Sequence, residues 1–345
     1  MTTRYFNAVS QPEAGTKLGG EVIRRGGLVA FPTETVYGLG ANGLDGEAVN
    51  KIFEAKGRPN DNPLILHIAK KSDVKPLWRA VPERARLLMD SFWPGPLTLI
   101  YLKSDKVPSE VAAGLSTVAV RMPYNKTALA LIRAAGVPIA APSANLSGKP
   151  SPTRAEHVKR DMDGRIDVII DGGPCTIGVE STVLTLVGAV PTILRPGGIT
   201  REMLQGVIGE VALSPAVLAP LKEGEAAASP GMKYRHYAPD AEVIVATGSP
   251  REIADKLIAE YERQEAEGRR CVIFATEETS RFYHGRRYAI IGERKNPLTL
   301  CESLFAGFRA EEGQADVILC EALPESGVGL AYMNRLLRSA GFRTI

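Results

Sequence analysis

The chain has 345 residues, 44% of them apolar, with 24 prolines and a formal net charge of +3; this allows two domains with sizeable cores and excludes a disordered chain. Residues 1–240 carry 28 Lys and Arg against 23 Asp and Glu, and residues 241–345 carry 14 against 16; the resulting +5 suits a local anion site and falls short of a dedicated nucleic-acid binder. No apolar run is long enough to span a membrane, the N-terminus shows no leader pattern, and Cys175, Cys271, Cys301 and Cys320 lack CxxC spacing, so a cytoplasmic chain with free thiols and no structural zinc is expected.

In chain order, 18–25 reads as the end of an amphipathic helix closed by Gly26-Gly27, and 28–31 as a short buried strand. A Gly- and Pro-punctuated loop follows, presenting Thr33, Thr35 and Tyr37. Residues 45–56 form a helix with Val49, Ile52 and Phe53 inward, stopped by Gly57 and Pro59. Further strands are expected at 64–68, 97–102, 118–122, 137–141, 168–171, 183–186 and 192–194, and helices at 83–90, 126–135, 154–160 and 201–208. Thr153 and Glu156 have the spacing of a capping box for the helix at 154–160. Single strands mixed with hairpin-like neighbours indicate a mixed, twisted α/β sheet over residues 1–212.

Residues 213–240 break every periodicity and read as a linker, yet Lys233-Tyr-Arg-His-Tyr237 is too aromatic and basic for a passive spacer. It is expected to fold over the first domain as a lid. Beyond it, strands at 242–245, 271–274, 288–291 and 316–320 alternate with helices at 249–263, 298–309 and 329–339, a small three-layer Rossmann-like α/β domain over 241–345. Ser249-Pro-Arg-Glu252 supplies a cap, a first-turn proline and a glutamate for its first helix. This second domain holds no G-x-G-x-x-G, so nothing supports a dinucleotide there, and no G-x-x-x-x-G-K-[ST] or G-x-S-x-G occurs in the sequence, so Walker-type and serine-hydrolase chemistry are disfavoured.

A nucleotide would therefore be held by side-chain cations. Lys56, Arg58, Arg121, Arg195 and Lys233 each stand beside Gly or Pro or at the end of an apolar run, where clefts of α/β folds open. Any one of them could equally be a solvated surface charge. His67 lies on the strand face opposite Leu64, Leu66 and Ile68, a position equally suited to a structural histidine. Ser143, Asn145, Ser147 and Ser151 form a hydroxyl-rich loop suited to a phosphate or ribose, or simply to a self-satisfied turn. Glu34 and Glu180 flank the hydroxyls and could serve a metal or orient cations.

The motifs Phe31-Pro-Thr-Glu-Thr-Val-Tyr-Gly38, Lys56-Gly-Arg-Pro-Asn-Asp-Asn-Pro63, Phe92-Trp-Pro-Gly-Pro96, Ala140-Ala-Pro-Ser-Ala-Asn145, Gly178-Val-Glu-Ser-Thr182 and Ser229-Pro-Gly-Met-Lys-Tyr-Arg-His-Tyr237 occur in this order. Together they resemble the YrdC-type threonylcarbamoyl-adenylate synthases, in the family's longer two-domain form. The resemblance implies threonine contacts at Thr35, His67, Arg121, Ala141 and Ser181. It implies ATP contacts at Lys56, Arg58, Asn62, Thr117, Ser143, Ser151, Arg195 and Tyr234, with Lys56 and Arg58 positioning the reactants and no covalent catalytic residue. Magnesium would arrive with ATP and take no protein ligand. The implied reaction joins L-threonine, bicarbonate or CO2 and ATP, releases pyrophosphate, and serves tRNA modification by a downstream transferase complex, with tRNA itself a candidate partner. The rival readings are a double-stranded RNA-binding module, since this fold family has also been linked to such RNA, and carbamoyl transfer to another acceptor.

Overall fold

The computed structural model describes residues 2–219 and 237–345. The first domain contains β1 (Arg4–Asn7), α1 (Thr16–Arg24), β2 (Val29–Phe31), β3 (Gly38–Asn42), α2 (Gly46–Lys56), β4 (Ile65–His67), α3 (Glu83–Phe92) and β5 (Leu97–Leu102). It continues with α4 (Ser109–Ala112), β6 (Thr117–Arg121), α5 (Lys126–Ala135), β7 (Ile139–Ala141), α6 (Ala155–Met162), β8 (Val168–Asp171), β9 (Thr182–Thr185), β10 (Thr192–Arg195), α7 (Arg201–Ile208) and β11 (Ala212–Leu213). Its strands form one sheet in the order β1-β8-β2-β3-β7-β4-β6-β5-β9-β10-β11. Parallel and antiparallel pairs are interspersed: β4 and β6 run parallel, whereas β5 and β6 run antiparallel. The mixed sheet expected from the sequence is the one that forms.

Local chemistry fixes the element ends. The Asp45 side chain accepts from the backbone N–H of Glu47 and Ala48 to start α2, and Gly57, at φ 62°, ends it. Lys56 thus occupies the last turn, beside the sheet. Strand β3 was hidden in the sequence because Gly-Leu-Gly lacks β-branched residues. A Cβ on Gly40 would stand 2.6 Å from Ile139 and 2.9 Å from Phe31, so only glycine lets β3 lie this close to its neighbours.

One sheet face packs Leu64, Leu66, Ile68, Leu97, Leu99, Val118 and Val120 against helices into the main core. The other face is divided. Helices α1 and α5 cover Val29, Phe31, Ile139 and Val168, while across β4, β6, β5 and β9 the face bears only the small cluster Ile65, Ile100, Ala119 and Val183. His67 and Arg121 pair in register beside that cluster. The substrate side of the sheet is the part that α1 and α5 leave uncovered.

The second domain comprises β12 (Glu242–Ala246), α8 (Pro250–Ala266), β13 (Cys271–Ala275), β14 (Tyr288–Ile290), α9 (Pro297–Ala310), β15 (Val317–Glu321) and α10 (Gly327–Ser339). Its sheet is wholly parallel, in the order β12-β15-β13-β14. The crossovers through α8 and α9 run in opposite directions along the sheet. Right-handed connections then put these helices on opposite faces, giving the expected three layers. Ser249 and Glu252 form the capping box at the start of α8.

Two expectations are corrected. Helix α6 takes Arg154 as its N-cap with no side-chain hydrogen bond, and Thr153 Oγ1 is buried without a partner; the Thr153 N–H donates instead to His157 Nδ1 at 3.3 Å. The stretch 213–217 is not structureless: Leu213 pairs with Ile193, and a 3-10 turn spans Pro215–Val217. Its carbonyls are bound by α10, Val217 by Asn334 Nδ2 and Ala216 by Arg338 Nη2. Lys233, Tyr234 and His236 lie outside the described residues, as does most of the proposed lid.

Candidate active site

An open cavity lies on the uncovered sheet face, where the loops at 33–38, 142–148, 180–181 and 195 meet. Backbone hydrogen bonds knit its wall: Tyr37 N–H donates to the Pro152 carbonyl at 2.8 Å, Leu39 N–H to Pro142 and Ala144 N–H to Tyr37. Thr35, Lys56, Arg58, His67, Arg121, Ala141, Ser143, Ser181 and Arg195 all line it. Residues spread over 160 positions thus meet because β4, β6, β7 and β9 sit near one another in the sheet.

Arg121 dominates one end. Its Nη1 donates to Thr35 Oγ1 at 2.9 Å and its Nε to the Gly95 carbonyl at 3.3 Å. Nη2 stands 2.7 Å from Glu34 Oε2, off the line of an aligned hydrogen bond, so this contact is one of charge. A buried guanidinium so braced is preset for a carboxylate. His67, at the neighbouring register position, has its Nδ1 3.2 Å from the Ile65 carbonyl. Burial, reinforced by the Arg121 charge, lowers its pKa to about 3, leaving a neutral imidazole. Ser181 Oγ lies 2.8 Å from Thr98 Oγ1 and accepts from Arg195 Nη2 at 3.2 Å.

Lys56 serves the opposite wall. Its Nζ donates to the carbonyls of Ser143 and Asn145, both at 2.5 Å, and burial pushes its pKa well down. This lysine shapes the hydroxyl-rich loop from behind. Arg58 Nη2 donates to the Asn62 carbonyl at 3.2 Å. The Asn62 side chain is buried with neither amide atom hydrogen-bonded. Arg195 is held by Nε to the Ser181 carbonyl at 3.1 Å, and its burial lowers its pKa.

Some expected residues stand apart. Thr117 shares the Arg121 face of β6 but at its opposite end, about 13 Å away by strand rise, and is absent from the cavity lining. Asn62 precedes β4 at that same end. Ser151 does not line the cavity either; its Oγ donates to Glu180 Oε1 at 2.5 Å, so it meets the site through Glu180. Tyr37, grouped with the two threonines in the sequence, is a core residue whose hydroxyl donates to the Gly173 carbonyl at 2.7 Å. Glu34 and Glu180 both orient arginines. Tyr237, at the end of the aromatic and basic run, lines the cavity. Thr98, Arg309 and Arg335 went unnoticed: Thr98 sits in an apolar strand, and helical arginines are ordinarily solvated.

Residues 21–197 match the Sua5/YciO/YrdC family model, described under "Telomere recombination", and residues 199–341 match the C-terminal domain model of threonylcarbamoyl-AMP synthase. The chain belongs to the threonylcarbamoyl-AMP synthase family. It is 51% identical to the threonylcarbamoyl-AMP synthase of Bacillus subtilis over 94% of this chain and 92% of that one. The crystal structure of Pyrococcus abyssi Sua5 complexed with L-threonine superposes with a TM-score of 0.93 at 46% identity, covering 100% and 99% of the two chains. A shorter synthase, from Thiobacillus denitrificans, is 34% identical over 173 residues, half of this chain but 90% of its own length. The two-domain form and both expected folds are those of this family. Among the described residues no helix is long and apolar enough to cross a membrane.

Proposed function

We propose that the cavity binds L-threonine at its Arg121 end and ATP along the Lys56, Arg58 and Arg195 side, and joins them through a one-carbon unit from bicarbonate or CO2. The observation that carries this reading is the braced Arg121: a buried guanidinium tied to Thr35 and facing Glu34, beside a neutral imidazole and the Ser181–Thr98 hydroxyl pair. That set matches the carboxylate and side-chain hydroxyl of threonine.

In this reading the threonine amine, having lost its proton, attacks CO2 to form an N–C bond and a carbamate. A carbamate oxygen then attacks the α-phosphorus, the bond to the bridging oxygen breaks, and pyrophosphate leaves. The protein contributes alignment and cations for the developing phosphate charge. In this reading the Asn62 amide, buried without a partner, and Thr117, at the start of β6, would hold the nucleoside. Magnesium would come on the triphosphate, where it would neutralise phosphate charge, since Glu34 and Glu180 both face arginines and the described residues hold no cluster of three or more His, Cys, Asp or Glu able to bind the ion. The carbamate needs protection from water, a role we assign to residues 213–240, with Tyr234 as the nucleotide contact. The product would pass to a cytoplasmic tRNA-modifying complex. Purified protein given threonine, bicarbonate and ATP should release pyrophosphate and yield a threonylcarbamoyl-adenylate mass; without pyrophosphate the reading fails.

A further inference from the structure

Two arginines of the second domain, Arg309 on α9 and Arg335 on α10, are 2% and 0% exposed and reach into the first domain. Arg335 Nε donates to Glu180 Oε2 at 2.6 Å, and its Nη2 to the carbonyls of Glu180 at 3.2 Å and Pro196 at 3.0 Å. Its guanidinium also lies 5.5 Å from the centre of the Tyr237 ring. The other Glu180 oxygen accepts from Ser151 Oγ. Arg309 forms a two-pronged pair with Asp161 and donates to the Pro150 carbonyl, from Nε at 3.2 Å and Nη2 at 2.6 Å. Ser151 is therefore held through its side chain and through the residue before it. The turns carrying Ser181 and Arg195 are laced together by Arg335.

The junction is close. A Cβ on Gly178 would stand 2.4 Å from Glu302 Cα on α9, so the loop leading to Glu180 rests directly on the second domain's backbone.

We propose that Arg335 is a positioning residue for the first domain's cavity, fixing Glu180 and the Glu180–Ser181 and Arg195–Pro196 turns so that Ser151, Ser181 and Arg195 hold their working geometry. This assigns the second domain a part in the reaction without contact with substrate, and it rests on the functional reading above. The chemistry requires an arginine. Three acceptors lie in different directions around one buried point, which a planar fork can satisfy and a lysine ammonium cannot. Without that fork Glu180 becomes a buried carboxylate lacking its chief cation, and the Ser151 hydroxyl loses a fixed acceptor. Displacing site groups by about 1 Å can cost about 100-fold in rate.

The test uses the full chain and measures pyrophosphate release, with ATP and threonine binding followed in parallel by calorimetry. Arg335→Lys and Arg335→Ala should lower kcat/KM for ATP by about 100-fold at a temperature where both remain folded. Guanidinium ion added at millimolar concentration should restore part of the Arg335→Ala activity and none of the Arg335→Lys activity. Glu180→Gln should show a similar defect, and adding Arg335→Ala to it should cost little more. A purely structural role would lower the melting temperature without guanidinium rescue of turnover. Wild-type kcat/KM in a folded Arg335→Lys protein overturns the proposal, and this variant decides alone if Arg335→Ala does not fold. A wild-type protein without turnover refutes the functional reading instead; the positioning role is then judged by whether Arg335→Lys weakens ATP binding, and unchanged binding overturns it.

Discussion

Ser181 Oγ and Thr98 Oγ1 lie 2.8 Å apart, joining segments 83 residues distant at a fully buried point of the cavity floor. The pair leaves a hydroxyl able to meet another hydroxyl, and a methyl group placed there would leave it unmatched. Threonine should therefore bind more tightly than its isostere valine by about 1–3 kcal/mol. Calorimetry with the two amino acids checks this; equal affinities would remove Ser181 from the threonine contacts.

Arg121→Lys should weaken threonine by about 2–5 kcal/mol, because truncation leaves Glu34 without its facing guanidinium and abolishes two-point binding of the carboxylate. Threonine titration of the folded variant measures it. An affinity within about twofold of wild type would relocate the carboxylate clamp.

Lys56 and Arg58 are two residues apart and should respond differently. Lys56→Met strips the Ser143 and Asn145 carbonyls of a buried donor, so it should reduce stability by about 1–3 kcal/mol as well as weaken ATP. Arg58→Ala should weaken ATP by about 2–5 kcal/mol with little change in unfolding. Paired urea melts and ATP titrations separate the two; the same profile for both variants would contradict their assigned roles.

Stability should fall on acidification partly through two histidines. Burial lowers His67 from 6.5 to about 3 and His157 to about 4. Between pH 6.5 and those values the unfolded chain binds protons that the folded one does not, so their contribution is complete above pH 6.5 and declines as the pH drops. His67→Gln should flatten the melting temperature's pH dependence between pH 6.5 and 4 relative to wild type. An unchanged slope would show that His67 titrates alike in both states.

Residues on either side of the cavity show what could be read from order alone. The start of α2, the stop at Gly57, strand β5 and helices α5 and α7 follow from caps, glycines and periodicity, which act over a few residues. So did the face of His67, since a strand alternates every two residues. Strand β3 escaped because its reason to exist is close packing on Phe31 and Ile139. Thr153 resembled a cap, but the chain enters α6 one residue later, at Arg154.

The sequence by itself determined the family, the alternation of elements and the residue types available to hold an amino acid and a triphosphate. Tertiary structure decided which of them act together. Arg121 meets Thr35 and Glu34 because the loop between β2 and β3 reaches the end of β6, and Tyr37, in the same motif, turns instead into the core. Arg335 is indistinguishable in sequence from a solvated helical arginine, yet the docking of α10 buries it against Glu180 and Pro196, 155 and 139 residues away. Periodicity and caps are local energies, legible in a window of sequence, whereas a buried charge is tolerable only once its distant partners are in place.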